Sequence, residues 1–296
     1  PQFWLMFGGF IVNRASNGLI WPFLTIYIRE QSCAPLSQIM ALFTLEAVTG
    51  LLATAAIGPI MDRFGRKAVM VLSLLGSGAL LIAMLTYLIA AAVNVAVGVL
   101  VLVLLAETLP RRVPGSAPAP VGGYGRLLRD RPFLVFIGIL LLVEMIITLV
   151  FVLLPVYAKE NYGVLENQYG LIVTINALMV VLFQYSMTRF TQRFRPLTVM
   201  AAGALVYAVG SMSIALGSTF AAFAFSMVIV TIGELMVAPT GLALAARLAP
   251  ADMRARYMGV YSITYTLAAG IAPLIGGVLN DHVSPDAIWY GGLALG

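Results

Sequence analysis

The chain has 296 residues, 61% of them hydrophobic and only 10% charged, with a mean hydropathy of +1.00. A soluble globular domain carries about 25% charged residues, so this composition excludes a water-soluble fold and describes an all-α polytopic membrane protein. The net charge of +5 is no nucleic-acid signal. Of the 17 Lys and Arg, 14 sit in four loops: Arg63, Arg66 and Lys67; Arg111, Arg112, Arg126, Arg129 and Arg131; Arg189, Arg193 and Arg195; and Arg247, Arg254 and Arg256. Positive residues in short loops stay on the cytoplasmic side. Those loops are therefore expected inside, with Arg29–Cys33 and Asn280–Asp286 outside. The single Cys33 excludes an intrachain disulfide, and the lone His282 argues against a histidine-based metal site.

A spanning helix needs roughly 20 apolar residues. In chain order, spans are expected at about Phe3 to Ile28 and Pro35 to Ile57. Ala68 to Ala106 is about twice a membrane thickness, so it reads as a hairpin of two helices turning near Ala90–Asn94. A linker rich in Pro and Gly follows, with Pro114, Gly115, Pro118, Pro120, Gly122 and Gly123, a composition unable to build a core. Further spans are expected at about Phe133 to Tyr157, Asn167 to Met187, Leu197 to Leu216, Phe220 to Arg247 and Tyr257 to Leu279. A last helix starts near Ala287. The reading is nine full spans and a C-terminal stub, in two bundles, 1–109 and 132–296, joined by a cytoplasmic linker at 110–131. Pro1 in place of Met, and an apolar run that stops at Gly296, suggest truncation at both ends.

An internal repeat supports the two-bundle reading. Shifted by 130 residues, the halves align without a gap over three helices. Tyr27, Arg29 and Glu30 meet Tyr157, Lys159 and Glu160; Gln38 meets Gln168; Thr44 meets Thr174; Arg63-Phe64 meets Arg193-Phe194. Apolar matches are common by chance in such a chain, but matched Tyr, Glu and Gln are not.

Between the second and third spans lies Gly58-Pro59-Ile60-Met61-Asp62-Arg63-Phe64-Gly65-Arg66-Lys67. Glycines suit a tight reversal there, and the cations fit a cytoplasmic turn. The acid and the spaced glycines need more explanation. The pattern G-x-x-x-D-R-x-G-R-K resembles the loop between the second and third helices of the major facilitator superfamily of transporters. That resemblance implies two parallel repeats with a substrate site at their interface. It also implies a gating role for Gly58, Asp62, Arg63, Gly65, Arg66 and Lys67, in which Asp62 packs under the start of a later helix near Met253 to Met258. Against the family's six helices per half, the first half here shows four. Glu107-Thr108-Leu109-Pro110 resembles the end of the sixth, so the fourth and fifth read as missing. Gly259, Ala268, Ala272, Pro273, Gly276 and Gly277 resemble the family's glycine-rich antiporter motif, displaced onto the eleventh-like helix, and their smallness suits close helix packing.

Four ionisable residues fall near the middle of their spans: Arg14, Glu46, Glu144 and Glu234. A charge at that depth costs at least about 2.5 kcal/mol, so each needs a partner or a wet cavity. Arg14 and Glu144 are repeat mates. The resemblance places their helices across a central cavity, lined by Arg14, Asn17 and Trp21 on one side and Glu144, Thr148 and Phe151 on the other. For Glu46 a structural ion pair is as good a reading as a functional one. Gly233 and Pro239 flank Glu234 and permit a local kink. The segment resembles the tenth helix of drug-efflux carriers.

These residues describe a carrier resembling the drug:proton antiporter branch. It is expected to export small amphiphilic or cationic solutes by alternating access, driven by a proton gradient, as a monomer in a bacterial inner membrane. No cofactor, metal or nucleic acid is expected. The alternatives are a sugar or metabolite symporter, a non-transporting receptor or scaffold, or a defective fragment. With one His outside the spans, no Ser-His or Cys-His constellation can be assembled, which argues against an enzyme.

Overall fold

The computed structural model describes residues 23–32, 34–64, 71–77, 79, 95, 99, 124–250 and 253–295. Among them every regular element is helical. Residues 23–32 form a helix, and seven more helices are named here: α1 (Leu36–Phe64), α2 (Arg131–Tyr162), α3 (Glu166–Thr191), α4 (Pro196–Ala215), α5 (Phe220–Leu248), α6 (Arg254–His282) and α7 (Ala287–Leu295). Six are long and apolar enough to cross a membrane, at Leu36–Ala53, Arg131–Tyr162, Glu166–Thr191, Pro196–Ala215, Phe220–Leu248 and Arg256–His282. They coincide with the six expected spans that fall on described residues. The first span up to residue 22, the hairpin at 68–106 except for residues 71–77, 79, 95 and 99, and most of the linker lie outside the described residues.

The chain groups into two compact units, Pro1–Leu24 with Gly50–Pro118, and Thr25–Thr49 with Ala119–Gly296. Of the first, the end of α1 and residues 71–77 are described, both helical. This corrects one expectation: of the turn read over Gly58–Lys67, residues 58–64 are helical and the last three lie outside the described residues. Extending an existing helix gains a backbone hydrogen bond per residue without a new nucleation cost. That gain outweighs the handicap of about 1 kcal/mol that a glycine brings.

The second unit is built around α5, which packs against α4 and α3, while α6 lies along α2 and α7 leans on α4. Local signals set the helix ends. Asp130 caps α2 by accepting from the Phe133 N–H at 3.2 Å, Pro132 sits in the first turn, and Gly163 ends the helix at φ 66°. Thr219 caps α5 through the Ala222 N–H. Asp130 also accepts from the Tyr257 hydroxyl at 2.7 Å, tying the start of α2 to the start of α6.

Small residues decide how closely α6 is approached. A Cβ on Gly277 would stand 2.9–3.1 Å from the backbone of Leu36 and Ser37, and one on Gly270 would meet the Ala47 Cβ at 2.6 Å. Gly276 is closed in by Leu149 and Leu153 of α2, and Ala268 and Ala272 are buried. Lipid gives helices no hydrophobic reason to associate, so close backbone approach is what holds α1 and α2 to α6. Two polar contacts fix the register: Thr44 donates to the Gly270 carbonyl at 2.6 Å, and Asp281 accepts from the Ser37 N–H at 2.8 Å and the Leu36 N–H at 3.3 Å. Asp281 thus satisfies orphan donors at the N-terminus of α1.

The repeat reappears as a reciprocal pair of ion pairs. Arg29 meets Glu160 at 2.7 Å, and its repeat mate Lys159 meets Glu30, the mate of Glu160. Lys159 also meets Glu166. Such half-exposed pairs are worth up to about 1 kcal/mol each, so they set register more than stability.

The packing of α6 predicts opposite effects for two glycines on one helix. Gly277→Ala forces backbone against backbone and should destabilise by about 1–3 kcal/mol, whereas Gly259, with nothing within 4 Å, should tolerate alanine or gain up to about 1 kcal/mol. Thermal denaturation of the purified variants checks the sign at each position.

Candidate transport site

Six polar residues of the second unit gather in one place. Glu144 comes from α2, Asn176 from α3, Tyr207 from α4, Thr231 and Glu234 from α5, and Tyr261 from α6. Asn176 is the hub. Its side-chain amide donates one hydrogen to Glu234 Oε2 at 2.7 Å and the other to Thr231 Oγ1 at 3.0 Å. Thr231 passes its own proton to the Met227 carbonyl at 2.7 Å. Every donor of this chain therefore finds an acceptor, as a buried polar network requires.

Around that hub the remaining groups stand within electrostatic reach of one another. Glu144 lies within reach of Glu234 and Tyr261, and Tyr207 within reach of both carboxyl groups. Tyr207 is buried, and the Tyr261 hydroxyl lies close to the surface of Gly241 on α5. Glycines make the approach possible: a Cβ on Gly233 would lie 2.9 Å from the Tyr207 ring and 3.0 Å from the Gly203 carbonyl. The glycine beside Glu234 is thus a close-packing position that brings a tyrosine to the acid. Both glutamates are half-buried, and among the described residues the cluster holds two carboxyl groups and no cation.

Of the expected site residues, the structure brings Glu144 and Glu234 together. Thr148 lies one turn from Glu144 but spends its hydroxyl on the Glu144 backbone carbonyl at 2.7 Å; Phe151 follows on the same helix, half-buried. Glu46, on α1, is exposed and contributes its backbone carbonyl to Thr49 at 2.8 Å; it does not join the cluster. Arg14, Asn17 and Trp21 lie outside the described residues, as do Gly65, Arg66 and Lys67. Gly58, Asp62 and Arg63 belong to the helical end of α1.

Sequence reasoning missed Asn176, Tyr207, Thr231 and Tyr261. A signal existed for two of them: Asn176 is a carboxamide in the middle of an apolar span, and Thr231 precedes Glu234 by three residues, on its face of the helix. The tyrosines carried none, since an aromatic in a span reads as packing.

The helices and the buried acids define a polytopic membrane protein with a polar centre, and comparison with known proteins gives the class. Residues 6–93 and 142–296 match the Major Facilitator Superfamily. The chain belongs to that superfamily. It is 28% identical over 191 residues to a Na(+), Li(+), K(+)/H(+) antiporter of Planococcus maritimus, covering 60% of this chain and 43% of that protein. It is 30% identical over 133 residues to the uncharacterized MFS-type transporter YttB of Bacillus subtilis (strain 168), covering 44% of this chain and 33% of that one. The chain thus spans less than half the length of these curated relatives. Its fold is that of the nucleoside transporter NupG in a crystal structure, with a TM-score of 0.75 at 11% identity, covering 96% of this chain and 94% of that one. The chain is an integral, multi-pass membrane protein of that superfamily.

The network carries a stability prediction. Asn176→Leu removes both donors at once and should cost about 1–3 kcal/mol. Thr148→Val removes a hydroxyl that bonds only within its own helix and should stay within about 0.5 kcal/mol. Thermal denaturation in lipid nanodiscs compares the two, and equal losses would mean the Asn176 bonds are not made.

Proposed function

We propose that this transporter exchanges a small cation, inorganic or amphiphilic, for protons, and that Glu144 and Glu234 carry the exchange. The observation that supports this reading is the pairing of two half-buried carboxyl groups in one polar cluster inside a lipid-embedded bundle. Two carboxyl groups in one poorly hydrated cluster are costly to ionise together. A bound proton or a bound cation relieves that cost, and the two compete for the same place. Occupancy by one then excludes the other, which is the requirement for antiport. Asn176 holds Glu234 in position for either occupant. Tyr207 and Tyr261 add hydroxyl groups, and the aromatic faces nearby suit organic cations.

The name of the Planococcus maritimus relative, an antiporter of monovalent cations and protons, supports the same class of chemistry. The carrier would work as a monomer in a bacterial inner membrane, by alternating access, with the proton gradient as its energy source. Asp62 and the residues around it would bias that cycle from the cytoplasmic end.

The test is cation-driven proton movement in proteoliposomes with an acidic lumen, followed by a trapped pH dye. Addition of Na⁺, Li⁺, K⁺ or ethidium should dissipate the gradient. Glu144→Gln should lose that response while keeping exchange of the cation without a gradient, because glutamine keeps the shape but cannot release a proton. A Glu144→Gln/Glu234→Gln double variant that still couples cation and proton normally would overturn the assignment. Proton flux driven only by a neutral solute would overturn the substrate class.

A further inference from the structure

Helix α5 contains Pro239, and proline has no N–H to donate to the carbonyl four residues earlier, which is that of Leu235. A carbonyl left without a donor inside a bilayer costs several kcal/mol. The structure supplies a replacement from another helix. Gln184 of α3 donates its side-chain amide to the Leu235 carbonyl at 3.3 Å, and also to Thr188 Oγ1 at 3.1 Å. Leu235 is the neighbour of Glu234. Eight residues earlier on α3, close to two helical turns along the same face, Asn176 donates to the Glu234 carboxyl group. One helix therefore grips α5 at two points, once on the acid itself and once on the backbone beside it.

Beyond its packing against α5, much of α3 is exposed. Only Tyr169, Ile172, Asn176 and Thr191 are buried along it, while Leu178, Val181, Phe183 and Tyr185 are exposed. In lipid such a helix is held by packing and interhelical hydrogen bonds. A cavity lined by Thr188, Pro239, Thr240 and Arg247 opens beside the break, so the segment is not wedged from that side.

We propose that Gln184 is a positioning residue for Glu234: by taking the carbonyl that Pro239 leaves without a backbone donor, it fixes the rotation and height of the segment that carries the acid. The proposal rests on the reading of Glu234 as a coupling residue only for its consequence in transport, not for the contact. Glu144 on α2 and Tyr207 on α4 lie within electrostatic reach of the same acid, Tyr261 on α6 lies within reach of Glu144, and none of them is on α3.

The experiment is a cycle of Gln184→Met, which keeps the volume and loses the donor, with Pro239→Ala, which returns a backbone N–H to Leu235. The full chain is studied in nanodiscs by infrared spectroscopy, with the carboxyl band of Glu234 identified by its loss in Glu234→Gln. Gln184→Met should move that band and its pH midpoint and lower cation-driven proton flux about three- to tenfold. In the Pro239→Ala background the same substitution should move neither. Accumulation of Gln184→Met only together with Pro239→Ala would give the same support. A band unmoved by Gln184→Met, an equal shift in both backgrounds, or failure to accumulate in both, would overturn the proposal. Normal transport by Glu234→Gln with the band shift intact would instead remove the coupling role of Glu234 and leave the positioning role standing.

Discussion

The hydrogen bonds from Asn176 to Glu234 and Thr231 are what the centre of the second unit depends on. Without water, a carboxyl group in a span must be met by protein donors or carry its own proton. Asn176 meets one acid and is itself satisfied by two acceptors. The Thr231 hydroxyl then closes the chain on the backbone of α5. The same constraint explains other polar placements: Thr148 and Thr44 turn their hydroxyls onto backbone carbonyls, Asp281 takes the free N–H groups at the start of α1, and Gln184 takes a carbonyl beside a proline.

Close packing makes that centre possible. The approach of α4 to α5 runs through Gly203, Gly210 and Gly233, each of which would bring a Cβ within 2.6–2.9 Å of the facing helix. Dispersion between surfaces this close replaces the hydrophobic drive that lipid removes. One consequence is chemical: with Gly233 flush against the Tyr207 ring, a phenol reaches the neighbourhood of Glu144 and Glu234. Packing and site are the same design seen at two scales.

Much of this was legible in the sequence because the relevant signals are periodic or expensive. Apolar runs of spanning length located all six described spans, and the cost of a buried charge singled out Glu144 and Glu234, with Arg14 and Glu46, in a chain that is 61% hydrophobic. The 130-residue repeat was visible in Arg29-Glu30 and Lys159-Glu160, yet the reciprocal pairing of those residues was not, since a repeat gives equivalence and not contact. The end of α1 was misjudged because Gly58 and its charges look like a turn, while helix continuation depends on cooperativity that no single residue displays. Asn176 and Gln184 were passed over because a neutral amide costs little enough to be tolerated idle, and only its partners across the helix gap give it a role.

The central claim is that a cation and a proton compete for the pair of acids. Calorimetry of Na⁺ or ethidium binding to the purified chain in nanodiscs, repeated in two buffers of different ionisation enthalpy, measures the protons released per ion bound. The account predicts heats that differ between buffers by a release approaching about one proton per cation, as linkage requires. Tight binding with identical heats in both buffers would contradict it.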